Sequence, residues 1–412
     1  MSPDTRRRRS TNVLCLVAAD HFFSHFYYLV LPPLFPLLRE VYGIGYTELG
    51  IGLMAMSLGN TITAAPVGIM VDRYGARTIL ISGLALAGIA FMLIPVFPSY
   101  AALVALMTLI GIANSVFHPA NYAILDALIP ESRMGRAFSV HSFGGYLGSA
   151  AAPVTVIFLT ELTSWETAIF VSGAAGVVMA ATLLVFASHI PDVHQTSLRH
   201  ATPTGDRRAG TMQVLFSLPV LLGLMFFAML SFAEIGISDF GVSSIHLIYE
   251  VPLTSATIAL SAYLFAAPVG VLLGGWLADK FPRHDVVAAV CMVTFALCLA
   301  ASALLNPAWS ALIIFFAIAG LASGLVAPSR DLMIRSVTPS GDMGKVFGFV
   351  STGFNVGGLL APPLFGYLLD YMDPRIVFAL AAIFGVFAAM VALATGRAGH
   401  KNNGAHRAPA NR

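Results

Sequence analysis

The sequence is poor in charge. Only 10% of its 412 residues are Asp, Glu, Lys or Arg, whereas 58% are hydrophobic. A soluble globular protein carries roughly a quarter charged residues, so this chain has too little polar surface to cover a soluble fold of its size. Its net charge of +2 argues neither for nor against nucleic acid. We expect the lipid bilayer to be its solvent, and we expect no nucleic-acid partner.

Cysteine and phosphate-binding motifs are also scarce. The three cysteines, Cys15, Cys291 and Cys298, lie in apolar runs, and their spacing indicates neither a metal site nor a disulfide framework. The chain has no G-x-x-x-x-G-K-[ST] loop, so ATP is not the expected energy source. No nucleophile–base pair or metal quartet shares one helix face. We therefore predict no cofactor, no metal site and no enzyme activity.

Twelve long apolar segments run along the chain. A helix needs about 20 mainly apolar residues to cross a bilayer, and a helix satisfies its own backbone groups in lipid. The pattern predicts an all-α membrane protein of twelve transmembrane helices. The segments are residues 12–36, 47–71, 77–97, 100–124, 135–160, 165–187, 214–241, 254–278, 285–305, 308–331, 342–369 and 374–396.

Lysine and arginine predict the orientation. With both termini in the cytoplasm, all of these residues except Arg39 and Arg375 lie on the cytoplasmic side. This asymmetry follows the positive-inside rule. No small-residue cleavage site follows the first apolar run, so we expect a retained span and not a signal peptide. We predict a multi-pass protein of a bacterial-type inner membrane, with both termini cytoplasmic.

The second half of the chain repeats the first. MGRAFSVHSFGGYLGSAAAP (134–153) aligns with MGKVFGFVSTGFNVGGLLAP (343–362), and small residues four apart in both copies are typical of close helix crossings. The longest polar segment between spans divides the chain six and six. We predict an N-terminal six-helix bundle (1–187), a flexible cytoplasmic linker (188–213) and a C-terminal six-helix bundle with a cytoplasmic tail (214–412). Parallel repeats of this kind place a solute site at their interface.

The loop after the second span, GIMVDRYGAR, resembles the G-x-x-x-D-R-x-G-R-R loop of the major facilitator superfamily. Its repeat copy is GWLADKFPRH. The resemblance covers all twelve spans and implies a secondary transporter of two pseudo-symmetric bundles. GIANSVFHPANYAIL and GRAFSVHSFGGYLGSAAAP are similar to the fosmidomycin-resistance branch of drug antiporters, which implies efflux. The first span and most of the C-terminal half depart from that branch, so its drug is not carried over.

The loop and its copy predict a cytoplasmic gate. Asp72 could face the positive N-terminal end of the eleventh helix, while Arg73 and Arg77 could pair with Asp126 or Glu131. Small residues at two positions of the motif would let helices approach closely. The alternative is that these are ordinary positive-inside residues with one helix-capping acid. The gate residues are Gly68, Asp72, Arg73, Arg77, Asp126, Asp279 and Lys280, with Gly275 as the repeat mate of Gly68.

The first span contains DHFFSHFYY, in which polar side chains fall on one arc of a helix. Charge within a span is costly unless it is paired or hydrated, so we expect this face to line a water-filled cavity and to couple transport to protons. The alternative is that the histidines bond neighbouring backbone and the acid caps something local. The arc holds Asp20, His21, Ser24, His25 and Tyr28, together with Tyr27.

Other polar groups within the spans complete the predicted cavity. His118 precedes Pro119, which should kink the fourth span and free a carbonyl; His118 is either a gating or substrate-binding group or a partner for that carbonyl. Arg330 either holds an anionic substrate or forms a local ion pair with Asp331. Glu234 competes with Asp20 as the proton carrier. The remaining predicted cavity residues are Asn121, His141 and Asp239.

These observations together predict a secondary active transporter. We expect a monomer that moves a small organic solute by alternating access, with proton coupling and with efflux favoured over uptake. One alternative is an uptake permease for an organic anion such as a carboxylate. The other is a non-transporting membrane sensor on the same fold, for which no loop leaves room for an added soluble domain.

Overall fold

The computed structural model describes residues 3–187, 190, 192, 212–338 and 342–405, and the regular structure of these residues is helical. Short 3-10 turns at Tyr27–Leu29 and Pro32–Leu34 separate the first two α-helices. The α-helices are α1 Pro3–Phe26, α2 Phe35–Tyr42, α3 Tyr46–Tyr74, α4 Ala76–Leu93, α5 Tyr100–Asn114, α6 Phe117–Leu128, α7 Glu131–Leu162, α8 Trp165–Val185, α9 Leu218–Tyr249, α10 Leu253–Lys280, α11 His284–Leu304, α12 Trp309–Val337, α13 Met343–Tyr371 and α14 Ile376–Ala405.

Each of the twelve predicted spans coincides with a helix or a broken helix. The first is α1 and α2 with the turns between them, and the fourth is α5 and α6. Eleven helical stretches of the described residues are long and apolar enough to cross a membrane. The remaining span is α13, in which glycines, prolines and Asn355 dilute the apolar residues. The all-α membrane fold is confirmed.

The fourth span breaks where its proline predicts a kink. Helix α5 ends at Asn114 and α6 begins at Phe117. Pro119 has no N–H to donate to a carbonyl one turn earlier, so it cannot continue a helix that runs through the break. The break leaves His118 in the first turn of α6.

The chain divides into two compact units. The first comprises Met1–His200, Tyr249–Ser261 and Pro362–Asp370, and in it α1 packs on α7, α3 on α5, and α4 on α8. The second comprises Ala201–Ile248, Ala262–Ala361 and Tyr371–Arg412, and in it α11 packs on α12 and α14. Most of the predicted linker, 188–213, lies outside the described residues, so its flexibility stays a prediction.

Matching glycines position matching helix pairs in the two units. A Cβ at Gly111 of α5 would overlap the carbonyl oxygen of Met56 in α3, and a Cβ at Gly320 of α12 would overlap that of Tyr263 in α10. Gly111 precedes Gly320 by the same offset that relates residues 134–153 to 343–362. Small residues let helix backbones approach this closely. The predicted duplication is therefore visible in the packing.

The glycine rows of α7 and α13 act in the same way. A Cβ at Gly148 would overlap the carbonyl oxygen of Phe22 in α1, and a Cβ at its repeat mate, Gly357, would overlap Ser231 in α9. This confirms that these rows are packing devices. They hold α1 and α9 close enough for polar side chains on those helices to reach neighbouring helices.

Candidate functional site

Asp20 is a fully buried acid of the first unit. It is on α1 with 0% of its surface exposed, and its Oδ2 accepts a hydrogen bond from Nδ2 of Asn121 on α6 at 3.2 Å. Its Oδ1 is buried without a hydrogen-bond partner among the described residues, as is Oδ1 of Asn121. Among the described residues, Asp20 therefore has one neutral amide as its side-chain partner and no ion pair, and it does not cap a local helix end.

His21 joins α1 to α7. Its Nδ1 lies 2.8 Å from the backbone oxygen of His141, and because a carbonyl can only accept, Nδ1 carries the proton. The two imidazole rings stack with centroids 3.6 Å apart. Both rings are buried, and Nε2 of each lacks a hydrogen-bond partner among the described residues.

Other members of the arc are held by asparagines. The Ser24 hydroxyl donates to Oδ1 of Asn114 at 3.3 Å, and Asn114 returns a hydrogen bond from Nδ2 to the Ser24 carbonyl at 2.9 Å. Tyr28 lies beyond the end of α1, in the first 3-10 turn, where its hydroxyl accepts from Nδ2 of Asn60 at 3.2 Å. These two side chains of the arc thus bind protein groups, and the water-filled cavity stays a prediction.

Two further histidines complete a cluster beside His21. The His25 ring lies 4.7 Å from that of His21, and the His118 ring lies 5.3 Å from it. Nδ1 of His25 is 3.4 Å from the Ser149 hydroxyl. His25 is half-buried and His118 is exposed, and nothing in the described residues makes His118 a partner for a freed carbonyl.

In the second unit, Glu234 on α9 is an acid within a span, as Asp20 on α1 is in the first. Its Oε1 accepts a short hydrogen bond from the hydroxyl of Ser323 on α12. Tyr263 of α10 donates in turn to the Ser323 oxygen at 3.4 Å. Glu234 is half-buried, so it is less enclosed than Asp20. Asp239, further along α9, accepts from the hydroxyl of its neighbour Ser238 at 3.0 Å and takes no part in this chain.

Arg330 is held in a defined position on α12. Its Nε donates to Oδ1 of Asp331 at 2.8 Å, and its guanidinium carbon lies 4.8 Å from the ring centre of Phe227 and 5.5 Å from that of Phe354. The side chain of Arg330 is 18% exposed and that of Asp331 is 48% exposed. The local ion pair expected as one alternative is present. The pair also leaves the planar guanidinium stacked on aromatic faces, a geometry suited to binding an anion.

The predicted ion pairs of the gate are wrong. Asp126 and Glu131 are exposed and pair with neither arginine in the part of the chain described. Arg77 instead binds Asp192, with NH2 to Oδ2 at 3.0 Å, and donates to the carbonyls of Ala187 and Ile190 at 3.1 and 3.2 Å. Arg77 thus has one carboxylate and two backbone carbonyls as partners, all from the segment that follows α8.

Asp192 is held in place by the ion pair with Arg77 and by hydrogen bonds from Thr78. Partial burial would favour its neutral form, but hydrogen bonds from Thr78 and the Arg77 guanidinium hold the pKa of Asp192 below its usual value. The Thr78 hydroxyl donates to Oδ2 at 2.7 Å and the Thr78 backbone N–H donates to Oδ1 at 3.2 Å. This anchor lies within the segment predicted to be a linker.

The other charged residues of the gate motif and its repeat copy are exposed. Asp72 and Arg73 are exposed, and the Arg73 guanidinium lies over the ring of Tyr74. In the repeat copy, Asp279 is exposed and Lys280 lies 4.0 Å from the ring centre of Trp276. The expected close helix approach at two motif glycines is wrong here, because a Cβ at either would meet no atom within 4 Å. They are Gly68 and Gly275. The gating role itself stays a prediction.

Sequence reasoning therefore found the polar helices but missed their partners. The structure brings the α1 residues together with His118, Asn121 and His141, while Asp239 stays apart from the Glu234 group. The missed partners are uncharged side chains that carry no signal in a sequence, because Ser and Asn are common in loops and spans alike. They are Asn60, Asn114, Ser149, Tyr263 and Ser323. Asn114 and Ser149 lie inside motifs quoted above, and Ser323 is the repeat mate of Asn114, so a comparison of the repeats would have found that pair.

Comparisons with known proteins agree with this architecture. The family model of the Major Facilitator Superfamily matches residues 18–244 and 224–411. The fosmidomycin resistance protein of Escherichia coli (strain K12) is 24% identical over 92% of this chain and 91% of its own length. The multi-drug resistance efflux pump PmrA of Streptococcus pneumoniae serotype 4 is 23% identical over 86% and 90%. A bacterial homolog of the human lysosomal transporter Spinster, crystallised inward-facing and unoccupied, superposes with a TM-score of 0.79 at 14% identity over 98% and 99%.

Proposed function

Because the chain belongs to the Major Facilitator Superfamily, we propose that it exports a small organic solute across a bacterial-type inner membrane in exchange for protons. At the family level the chain is a multi-pass membrane transporter and not an enzyme. The solute, the direction and the coupled proton are our proposals, as are a monomeric state and cytoplasmic termini. The names of two relatives, a drug-resistance protein and a multi-drug efflux pump, support export.

The burial of Asp20 supports proton coupling. An ionised carboxylate that is fully buried costs several kcal/mol even after relaxation, and one neutral amide donor from Asn121 offsets little of that cost. Oδ1 has no partner among the described residues, so a proton on the carboxyl would remove the charge. A conformation that admits water to Asp20 would let the proton leave.

Glu234 is the competing candidate for the proton carrier, because it too is an acid within a span. Its carboxylate accepts from Ser323, and it is half-buried. Because it already has a strong donor and more solvent, its charged form is better accommodated than that of Asp20. We therefore assign the transported proton to Asp20.

The test compares two modes of transport in the same proteoliposomes. Accumulation driven by a pH gradient requires proton coupling, whereas counterflow requires only solute binding and alternating access. For Asp20→Asn we expect gradient-driven accumulation to fall to the level of empty vesicles while counterflow persists. A panel of solutes, starting with fosmidomycin because of the relative's name, identifies the transported compound.

Glu161→Gln is the control, because Glu161 is an exposed acid at the end of α7. It should retain both modes of transport. If Asp20→Asn keeps gradient-driven transport and Glu234→Gln loses it, the proton belongs to α9. If neither substitution matters, coupling to protons is wrong.

Uptake of an organic anion is the second candidate, and Arg330 favours it. Its mostly buried guanidinium is stacked on two aromatic rings, and a planar cation held in this way suits the recognition of an anion. Net movement of an anionic solute into right-side-out vesicles along an inward proton gradient would select uptake over export.

A further inference from the structure

The histidine cluster of the first unit has the chemistry of a metal site. Ring nitrogens of His21, His25 and His118 all lie within 4.8 Å of one another. His21 and His25 lie one helical turn apart on α1, whereas His118 comes from α6, so local spacing in the sequence reveals only two of the three. We infer that these three side chains bind a divalent first-row transition-metal cation such as Zn²⁺ or Co²⁺.

The tautomer of His21 suits a metal ligand. Its Nδ1–H donates to the carbonyl of His141, which leaves the lone pair of Nε2 free. Metal-binding histidines typically donate their other ring N–H to a carbonyl or carboxylate in this way, and that bond fixes the ring's orientation. The Nε2 atom is buried without a hydrogen-bond partner among the described residues, and His21 as a whole is only 4% exposed. A buried, unpartnered lone pair is costly, and a cation would satisfy it.

The neighbouring residues orient the second ring and make room for both. His25 can donate from Nδ1 to the Ser149 hydroxyl at 3.4 Å, which leaves its Nε2 as the ligand atom. A Cβ at Gly145 would lie 2.8 Å from ring carbons of both His21 and His25. Any larger residue at position 145 would therefore displace one of the two rings from its present position.

The third ligand provides access. His118 is exposed, whereas His25 is half-buried and His21 is buried, so exposure increases across the cluster from His21 to His118. Zn–N bonds of about 2.0–2.1 Å place tetrahedral nitrogens about 3.3 Å apart. Binding thus draws the rings together by somewhat more than 1 Å at most, and His118 at the open end can move to do so.

The composition of the cluster selects the kind of cation. Neutral imidazoles suit Zn²⁺, Co²⁺, Ni²⁺ and Cu²⁺, whereas Mg²⁺ and Ca²⁺ prefer oxygen ligands. Three protein ligands leave the fourth tetrahedral position open. Water or a donor atom of the transported solute can occupy that position, so solutes that chelate metals are the class this site would favour.

The test measures metal binding directly, in the purified full chain with a tag that contains no histidine. The chain has eleven histidines, so the site is measured as the difference between wild type and variants. Zn²⁺ affinity is determined by calorimetry, and Co²⁺ coordination by its visible absorption bands. For the double variant His25→Ala/His118→Ala we expect loss of one bound equivalent of metal, with affinity at least about 100-fold weaker.

Two further variants separate coordination from folding. His118→Ala changes an exposed side chain and should by itself weaken Co²⁺ binding and alter its spectrum. His284→Ala, at the start of α11 in the second unit, should bind as wild type does. Ser149→Ala should weaken binding about tenfold by releasing the ring of His25.

An equal number of bound metal ions, with equal affinity, in wild type and the double variant would overturn the site. So would a Co²⁺ spectrum that His118→Ala leaves unchanged. These measurements need no transport assay, so a failure here leaves the proposed transport function standing, and the reverse also holds.

Discussion

Helices α1 and α9 begin the two repeats, and they have the same packing but different chemistry. Glycines on α7 hold α1 closely, and their repeat mates on α13 hold α9. In both units an acid binds a neutral side chain, Asp20 with Asn121 and Glu234 with Ser323. The first unit adds two histidines on α1, whereas the second adds the cation of Arg330 over aromatic rings.

The difference shows which features a duplicated bundle must share. Helix contact at a glycine depends on backbone approach, so a side chain at that position disturbs the whole helix pair. A polar side chain within a span needs only a local partner, so it can differ between repeats while the scaffold stays the same. His141, whose repeat position holds Val350, is a direct example.

The largest expected effect tests the shared scaffold. Gly148→Val and Gly357→Val should each destabilise the protein by about 1–3 kcal/mol, because the new methyl groups would overlap the Phe22 carbonyl and Ser231 respectively. The midpoint of thermal unfolding in detergent measures the loss.

Gly135→Ala on α7 and Gly348→Ala on α13 are the matched controls, because a Cβ there meets no atom within 4 Å. They should leave the midpoint unchanged or raise it slightly. If only one of the two valine variants is destabilised, the packing of the two repeats is less alike than their glycines indicate.

The next effect tests the difference in charge. If the solute is anionic, Arg330→Gln should weaken its binding by about 10-fold or more, or at least 1.4 kcal/mol, because the stacked guanidinium is lost. The affinity of Arg330→Lys for the solute should lie between those of wild type and Arg330→Gln, because lysine keeps the charge but not the planar fork. Solute binding is measured by the protection it gives against thermal unfolding.

Arg375→Gln is the control for Arg330. Arg375 pairs with the exposed Asp373 at 3.3 Å on the side predicted to lie outside, so its loss should change binding less than about twofold. Equal effects of the two substitutions would make Arg330 an ordinary edge charge. The second unit would then have no special role in binding anions.

Sequence reasoning reached the helices and the polar residues, but not their contacts. Apolar runs of bilayer length fix the spans because lipid tolerates little else, and the break near His118 follows from Pro119. Asp20 and Asn121 were both predicted to line the cavity, but their hydrogen bond could not be predicted, because sequence gives no distance between residues on different helices. The partner of Arg77 was mispredicted because Asp126 and Glu131 lie at the cytoplasmic end of the fourth span, on the same side as Arg77, whereas the fold brings Asp192 to Arg77 from beyond α8.

The smallest effect compares the two copies of the cytoplasmic loop. In the first unit, Arg77 and Thr78 bind Asp192, and both members of the ion pair are partly exposed, at 27% and 23%. In the second, Lys280 lies over Trp276. Asp192→Asn should therefore lower the free energy of unfolding by less than about 1 kcal/mol near pH 7.

The stabilisation by Asp192 should also depend on pH. Because the pKa of Asp192 is lowered in the folded state, this contribution is full above the unfolded pKa of about 3.9. It is lost as the pH falls through the lower folded value. The difference in unfolding midpoint between wild type and Asp192→Asn should shrink across that range, whereas Lys280→Gln should show no such change in acid. A difference for Asp192→Asn that stays constant down to about pH 3 would mean that the hydrogen bonds of Asp192, and not its charge, hold the segment.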